Sequence, residues 1–208
     1  MNKLYVAMAG NIGAGKTTLT RLMAEHYSWE PYYEPVLDNP YLDDFYADMK
    51  RWSFHLQIFF LAKRFESMIE IQKNDISVIQ DRTIYEDVEI FARNLFRRGD
   101  MIERDFKTYS DLFYDMVSFI VKPDLVIYLR TRPEVLVERI MQRGRESEKN
   151  IPIGYLKQLN EAYETWIATY SATNRVLVID SEAFDPNRDH SILDIIDDEI
   201  HGMIAEKK

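Results

Sequence analysis

An apolar run, Leu4 to Ala9, leads straight into Gly10-Asn11-Ile12-Gly13-Ala14-Gly15-Lys16-Thr17, and a helical pattern follows as far as Tyr27. This order of strand, glycine-rich loop and helix constrains the chain more than anything else in it. The loop fits G-x-x-x-x-G-K-[ST]. Its glycines let backbone N–H groups converge on phosphate oxygens without Cβ clashes, and the helix start adds a favourable potential for an anion. Lys16 is placed to reach the outer phosphates, and Thr17 to offer its hydroxyl to Mg²⁺. Gly10, Asn11, Ile12, Gly13, Ala14, Gly15, Lys16 and Thr17, with Thr18 behind them, are therefore candidate ligands of a nucleoside triphosphate.

The rest of the chain continues the alternation. Strands are expected at Leu4 to Ala9, Pro31 to Glu34, Ser77 to Gln80, Leu125 to Leu129 and Val176 to Ile179. Helical periodicity covers Lys16 to Tyr27, Trp52 to Gln72, Tyr85 to Phe96, Phe106 to Val121, Pro133 to Gly144, Ile153 to Ser171 and Ser191 to Ile204. Strands that are apolar throughout and separated by helices predict an α/β fold, a five-stranded parallel sheet with helices on both faces. No repeat, low-complexity tract or Gly/Ser linker divides it, so residues 1–208 read as a single domain.

Composition narrows the partners. Lys plus Arg number 26 against 35 Asp plus Glu, a formal net charge of −9. Such a chain is poorly suited to neutralising a phosphate backbone, so no nucleic-acid partner is expected. A basic pocket in an acidic protein remains open, because local charge decides there. The absence of cysteine removes disulfides, thiolate metal sites and cysteine nucleophiles, and agrees with a cytoplasmic location. No apolar run approaches the ~18 residues of a membrane span, and Met1 to Val6 lacks the apolar core of a secretory leader. The four histidines show no metal-ligand spacing.

A phosphate loop does not choose a reaction by itself. Asp81 is followed by Arg-Thr-Ile without a glycine, and Gln72-Lys73-Asn74-Asp75 only echoes a guanine reader, so a GTPase is disfavoured. Glu34 closes the second strand, where a carboxylate faces the ligand crevice of an open sheet and can serve as base to an acceptor hydroxyl. Asp81 ends the third strand and can hold Mg²⁺ directly or through water. Arg82 can bridge the transferred phosphoryl group and the acceptor oxygen. The plain alternatives are a surface acid before a proline turn and a helix cap with an ion pair.

The segments Glu34-Pro35-Val36, Asn39-Pro40-Tyr41, Arg51 to Gln57, Asp81-Arg82-Thr83-Ile84-Tyr85-Glu86-Asp87 and Arg139 to Arg145 follow the loop in order. Over nearly its whole length the chain resembles the deoxynucleoside kinases, in particular their bacterial deoxyadenosine kinase type. The resemblance implies that Glu34 is the general base for the sugar 5′-hydroxyl and that Arg82 lies beside that oxygen. It gives Asp81 a metal-side role, in an Asp-Arg-Thr motif where many relatives have Glu-Arg-Ser. It implies that Gln57 reads the nucleobase edge, that Arg64 and Asp87 flank the base, and that Phe91 stacks on it. Tyr46 and Glu148 match groups that bind the 3′-hydroxyl.

Elementary chemistry supports part of this separately. Gln57 and Arg64 are seven apart and share a helix face. Polar groups on an apolar stripe need partners, which each other or the backbone could supply. Gln offers a donor beside an acceptor, which suits adenine or cytosine; thymine pairs differently, and its methyl needs an apolar hollow. Arg139, Arg143 and Arg145 place cations at a helix end and on the next loop. Charge must surround the γ-phosphoryl without blocking the way in, which a closing loop achieves. The resemblance assigns these arginines to a lid at about residues 143–150; as a solvated face of Arg/Glu pairs they would have no such role.

These readings predict ATP- and Mg²⁺-dependent phosphorylation of a deoxynucleoside, deoxyadenosine first, then deoxycytidine and deoxyguanosine. A homodimer is expected, because the helices around Phe59 and Phe91 carry more apolar surface than one sheet face needs and the family pairs there. A thymidylate kinase-like nucleoside monophosphate kinase would need an arginine clamp for a phosphate already on the acceptor. A nucleotide-dependent switch would need no base pocket.

Overall fold

The computed structural model describes residues 3–34, 39–145, 148, 151–184 and 191–206. Pro35, Val36, His190 and residues 146, 147, 149 and 150 of the expected lid lie outside them. The sheet runs β2 (Glu30–Tyr32), β3 (Val78–Asp81), β1 (Tyr5–Gly10), β4 (Leu125–Arg130) and β5 (Val176–Asp180) from edge to edge, and every pairing is parallel. The expected five-stranded parallel sheet is the one observed. β1 is central: Val6 is in register with Ile79 on one side and Leu125 on the other. It is buried from end to end, as a strand covered on both faces must be.

Alternate residues of the central strands feed two cores. Val6, Met8, Ile127 and Leu129 pack against α1 (Lys16–Tyr27), α7 (Pro133–Arg143) and α9 (Ser191–Glu206) through Leu19, Met23, Leu136, Ile140 and Ile196. Tyr5, Ala7, Val78 and Tyr128 face the other layer. It is built of α3 (Met49–Lys73), α6 (Glu103–Val117), α8 (Ile153–Tyr170) and the helical run of α4 (Ile84–Glu86), a π-helical segment (Asp87–Ala92) and α5 (Arg93–Arg98). Among the described residues no helix is long and apolar enough to cross a membrane.

Several elements differ from expectation. β2 is Glu30–Tyr32 and not 31–34, so Glu34 lies two residues beyond the strand it was expected to close. A short helix, α2 (Leu42–Ala47), precedes α3; Leu42, Phe45 and Tyr46 share its core-facing side, but six residues give too short a period to read. α3 begins at Met49 because Asp48 caps it, its carboxylate accepting the Arg51 N–H at 3.1 Å. α6 spans Glu103–Val117 instead of 106–121: Glu103 and Asp105 suit a first turn, and Phe119, 72% exposed, lies beyond the packed face. The expected helix over 85–96 is present, but its middle is wound as a π turn, a form that recurs at functional sites.

Candidate active site

The phosphate loop joins β1 to α1 at the carboxyl edge of the sheet. Gly13 has φ +85, and a Cβ there would lie 3.0 Å from both Ile140 Cγ1 and the Leu136 carbonyl. Gly15 has φ +98 with nothing within 4 Å, an open concavity at the start of α1. Gly13→Ala is therefore expected to cost about 2–4 kcal/mol from backbone strain and overpacking and to weaken nucleotide binding with it. A thermal melt and an ATP titration would check both; an unchanged melting temperature would contradict it. Asn11 turns its side chain away from the loop cavity, the amide donating to Leu156 O at 2.9 Å and to Asn160 Oδ1 at 2.5 Å. It braces the loop with both side chain and backbone, its Oδ1 accepting the Ile12 N–H at 2.8 Å. Its carbonyl accepts Lys16 Nζ at 2.9 Å.

Two cavities meet at this loop. One, of about 820 Å³, is lined by Gly13 to Leu19, Arg139, Gln142, Arg143, Arg145, Ser181 and Phe184. The other, of about 400 Å³, is lined by Glu34, Tyr46, Gln57, Asp81, Arg82, Asp87, Phe91 and Glu148. Gly13, Lys16, Thr17, Arg143 and Arg145 line both. Leu42, Phe45, Leu56, Phe60 and Tyr155, none of them singled out from the sequence, form the apolar part of the smaller cavity. Leu56, Phe60 and Tyr155 lay within expected helices, whereas Leu42 and Phe45 belong to the unexpected α2.

At the junction lies a buried charge network. Glu34 Oε1 accepts a hydrogen bond from Arg64 Nη2 at 2.9 Å and forms an ion pair with Arg82 Nε at 2.8 Å. Arg64 Nε reaches Asp87 Oδ2 at 2.7 Å, so one guanidinium on α3 ties two of the expected site carboxylates together. Burial favours the neutral form of Glu34, but Arg82, Arg64 and Lys16 outweigh it and bring its pKa down to about 2. Burial pushes Asp87 up to about 6 against the pull of Arg64. Burial lowers Lys16 to about 8, helped by Arg82 and opposed by Asp81 and Glu34. Arg82 leaves β3 with φ +78, and its guanidinium sits 4.5 Å from the centre of the Phe91 ring.

Asp81 accepts the Thr17 hydroxyl on Oδ2 at 2.5 Å; its Oδ1 is buried without a hydrogen-bond partner among the described residues, as is Gln57 Oε1. Burial raises the Asp81 carboxyl, with Lys16 opposing and Glu34 adding to the rise. Arg139 Nη1 and Nη2 hold Ser181 Oγ at 2.9 Å and Ser181 O at 2.8 Å, and Nη1 also reaches Ala14 O at 3.3 Å. It stands in the middle of α7, bracing the loop. Arg143 and Arg145 both pair with Glu148.

A phosphate cradle opening on a second, largely apolar cavity with a carboxylate and an arginine at the mouth belongs to a phosphate-loop kinase that acts on a small molecule. The deoxynucleoside kinase family matches residues 6–201, and the chain belongs to that family. It is 40% identical over 205 residues to a deoxyadenosine/deoxycytidine kinase of Bacillus subtilis, covering 98% of this chain and 94% of the relative. It is likewise 40% identical to a deoxyadenosine kinase of Dictyostelium discoideum over 88% of this chain and 75% of that one. The solved deoxyadenosine kinase of M. mycoides, with the products dCMP and dCDP bound, superposes with a TM-score of 0.87 at 29% identity, covering 96% of this chain and all of that one. The chain is thus a transferase that phosphorylates deoxynucleosides with ATP.

Proposed function

We propose that the enzyme transfers the γ-phosphoryl group of ATP to the 5′-hydroxyl of deoxyadenosine first, and of deoxycytidine and deoxyguanosine after it. The observation that sets adenine and cytosine above thymine is Gln57 Oε1, buried in the wall of the smaller cavity without a partner among the described residues, with the Arg64–Asp87 pair nearby. A carboxamide there can accept from an exocyclic amino group and donate to the adjacent ring nitrogen, an edge that adenine and cytosine share. Phe91 provides the stacking face. Tyr46, whose phenol burial pushes well up, keeps its proton and can donate to the sugar 3′-hydroxyl, beside Glu148.

Both cations on Glu34 contact Oε1, which leaves Oε2 for the 5′-hydroxyl. Arg82 then lies between that oxygen and the incoming phosphoryl group. Lys16, Arg143 and Arg145 carry positive charge to the phosphates. The residues also suit Mg²⁺. Thr17 and the free Asp81 Oδ1 can hold it with water and nucleotide oxygens, and Mg²⁺ normally needs few protein ligands. When bound, it would neutralise charge on the outer phosphates. A cytoplasmic location and a homodimer complete the reading. A panel of the four deoxynucleosides with ATP, followed by ADP release, tests it: deoxyadenosine should give the highest kcat/KM and thymidine the lowest. A thymidine optimum would refute the assignment of the base site.

A pH profile follows from Lys16. Its ammonium is intact below about 8 and is lost above, while bound triphosphate favours the charged form. The kcat/KM for ATP should therefore fall above pH ~8, up to tenfold per unit, with kcat at saturating ATP staying flat. A kcat/KM unchanged to pH ~9.5 would show that Lys16 does not titrate there.

A further inference from the structure

Two side chains outside the expected site connect the phosphate loop to Arg82. Glu86 forms a capping box with Thr83, its Oε2 accepting the Thr83 N–H at 2.6 Å and the Thr83 hydroxyl at 3.0 Å. Its other oxygen does what a cap does not require. Oε1 accepts the Gly10 N–H at 3.3 Å and pairs with Arg82 Nη1 at 3.2 Å. Tyr163, on α8, has its hydroxyl 2.8 Å from Gly10 O, 2.6 Å from Glu86 Oε1 and 2.6 Å from Arg82 Nη1. A phenol has one proton to donate, so it serves Glu86 or the Gly10 carbonyl while its lone pair receives Arg82.

The N–H and the C=O of the loop's first residue are thus held by the same two side chains that hold the guanidinium. Both side chains are fully buried, and the Tyr163 ring stacks on Tyr128 of β4 at 5.6 Å. Buried charge-assisted bonds of this kind fix geometry. Arg82 needs fixing, because its Nε already touches Glu34. With Nη1 released, the planar fork could turn to grip Glu34 through two donors and take that carboxylate away from an incoming hydroxyl.

We propose that Tyr163 and Glu86 are positioning residues that hold Arg82 in register with the phosphate loop before either ligand binds. This rests on the reading of Arg82 as the arginine beside the reacting oxygen. Because the pair touches neither ligand, its loss belongs in kcat and not in KM. Tyr163→Phe keeps the ring and its stacking and removes the hydroxyl alone. It is expected to lower kcat with deoxyadenosine about 10–100-fold, the scale of an ångström-sized misplacement, with both KM values within about threefold.

The role has a signature that a purely structural one lacks. In an Arg82→Lys background the fork is gone, and Tyr163→Phe should then change kcat by less than about twofold; independent effects would multiply. Glu86→Gln, which keeps the shape and removes the charge, should reproduce the kcat loss and serves if Tyr163→Phe does not fold. A normal kcat in either folded variant, the same proportional loss with and without Arg82, or failure of both variants to fold would overturn the proposal. An unaltered enzyme inactive on every deoxynucleoside would overturn the reading of Arg82 as well, so the two failures are distinguishable.

Discussion

Glu34→Gln is expected to lower kcat about 10²–10⁴-fold, about 3–5 kcal/mol of barrier, with little change in KM for deoxyadenosine. Glutamine keeps the volume and an oxygen for Arg82 and Arg64, but it can no longer accept a proton or carry the negative charge. With a pKa of about 2, Glu34 is ionised throughout the working range and is a weak base in the ground state. It therefore orients the alcohol first and takes the proton as the new P–O bond forms and the hydroxyl becomes acidic. The sign of the pH dependence follows. The active form is the deprotonated one, so protonation of Glu34 contributes no acid limb to kcat above about pH 4. A turnover within tenfold of the starting enzyme would remove Glu34 from the chemistry. Melting curves taken alongside separate lost chemistry from the cost of leaving two guanidinium groups with one partner fewer.

Lys16→Met should be the second large effect, a loss of about 10³-fold in kcat/KM for ATP, the order seen when a cation on the transferred phosphoryl group is removed. Methionine fills the space of the stem, so the change is one of charge. Lys16 is almost wholly buried, and burial lowers its pKa to about 8, so the fold without ligand disfavours its ammonium. Removing it should leave the melting temperature of the free enzyme unchanged or raised while activity collapses. A variant that melts far below the starting enzyme would mean that Lys16 also supports the fold. Activity retained within a few-fold would mean that Arg82, Arg143 and Arg145 carry the phosphate charge without it.

Strong local patterns in the sequence yield the framework. α1 appears at Lys16–Tyr27 as its periodicity and the preceding glycine require, and Pro133 opens α7. The acceptor side was readable in part because Asp81 ends β3 with Arg82 next to it and Glu34 lies just beyond β2, where topology points side chains at a ligand. α2 was hidden because its six residues make fewer than two turns, too short for the spacing of Leu42, Phe45 and Tyr46 to show a period. The π turn was hidden because Asp87 to Ala92 keeps the spacing of an ordinary helix. Tyr163 lies among the buried apolar residues of α8, which give it no signal of its own. Glu86 did leave a trace: Thr83-Ile84-Tyr85-Glu86 is a capping-box pattern, although that pattern accounts for only one of its two oxygens. Long-range contacts such as Arg64 to Glu34 have no local signature at all.

The central place of β1 has a bearing on how the molecule comes into being. β1 is flanked by partners that begin at Val78 and Leu125, so on a ribosome its unpaired N–H and C=O edges and apolar faces wait until those later segments have been made. At roughly 5–20 residues per second that delay is on the order of ten seconds. Parallel pairing across such separations is slow in its own right. The nascent enzyme thus spends its most aggregation-prone interval with the very segment that will lead into its phosphate cradle unsheltered.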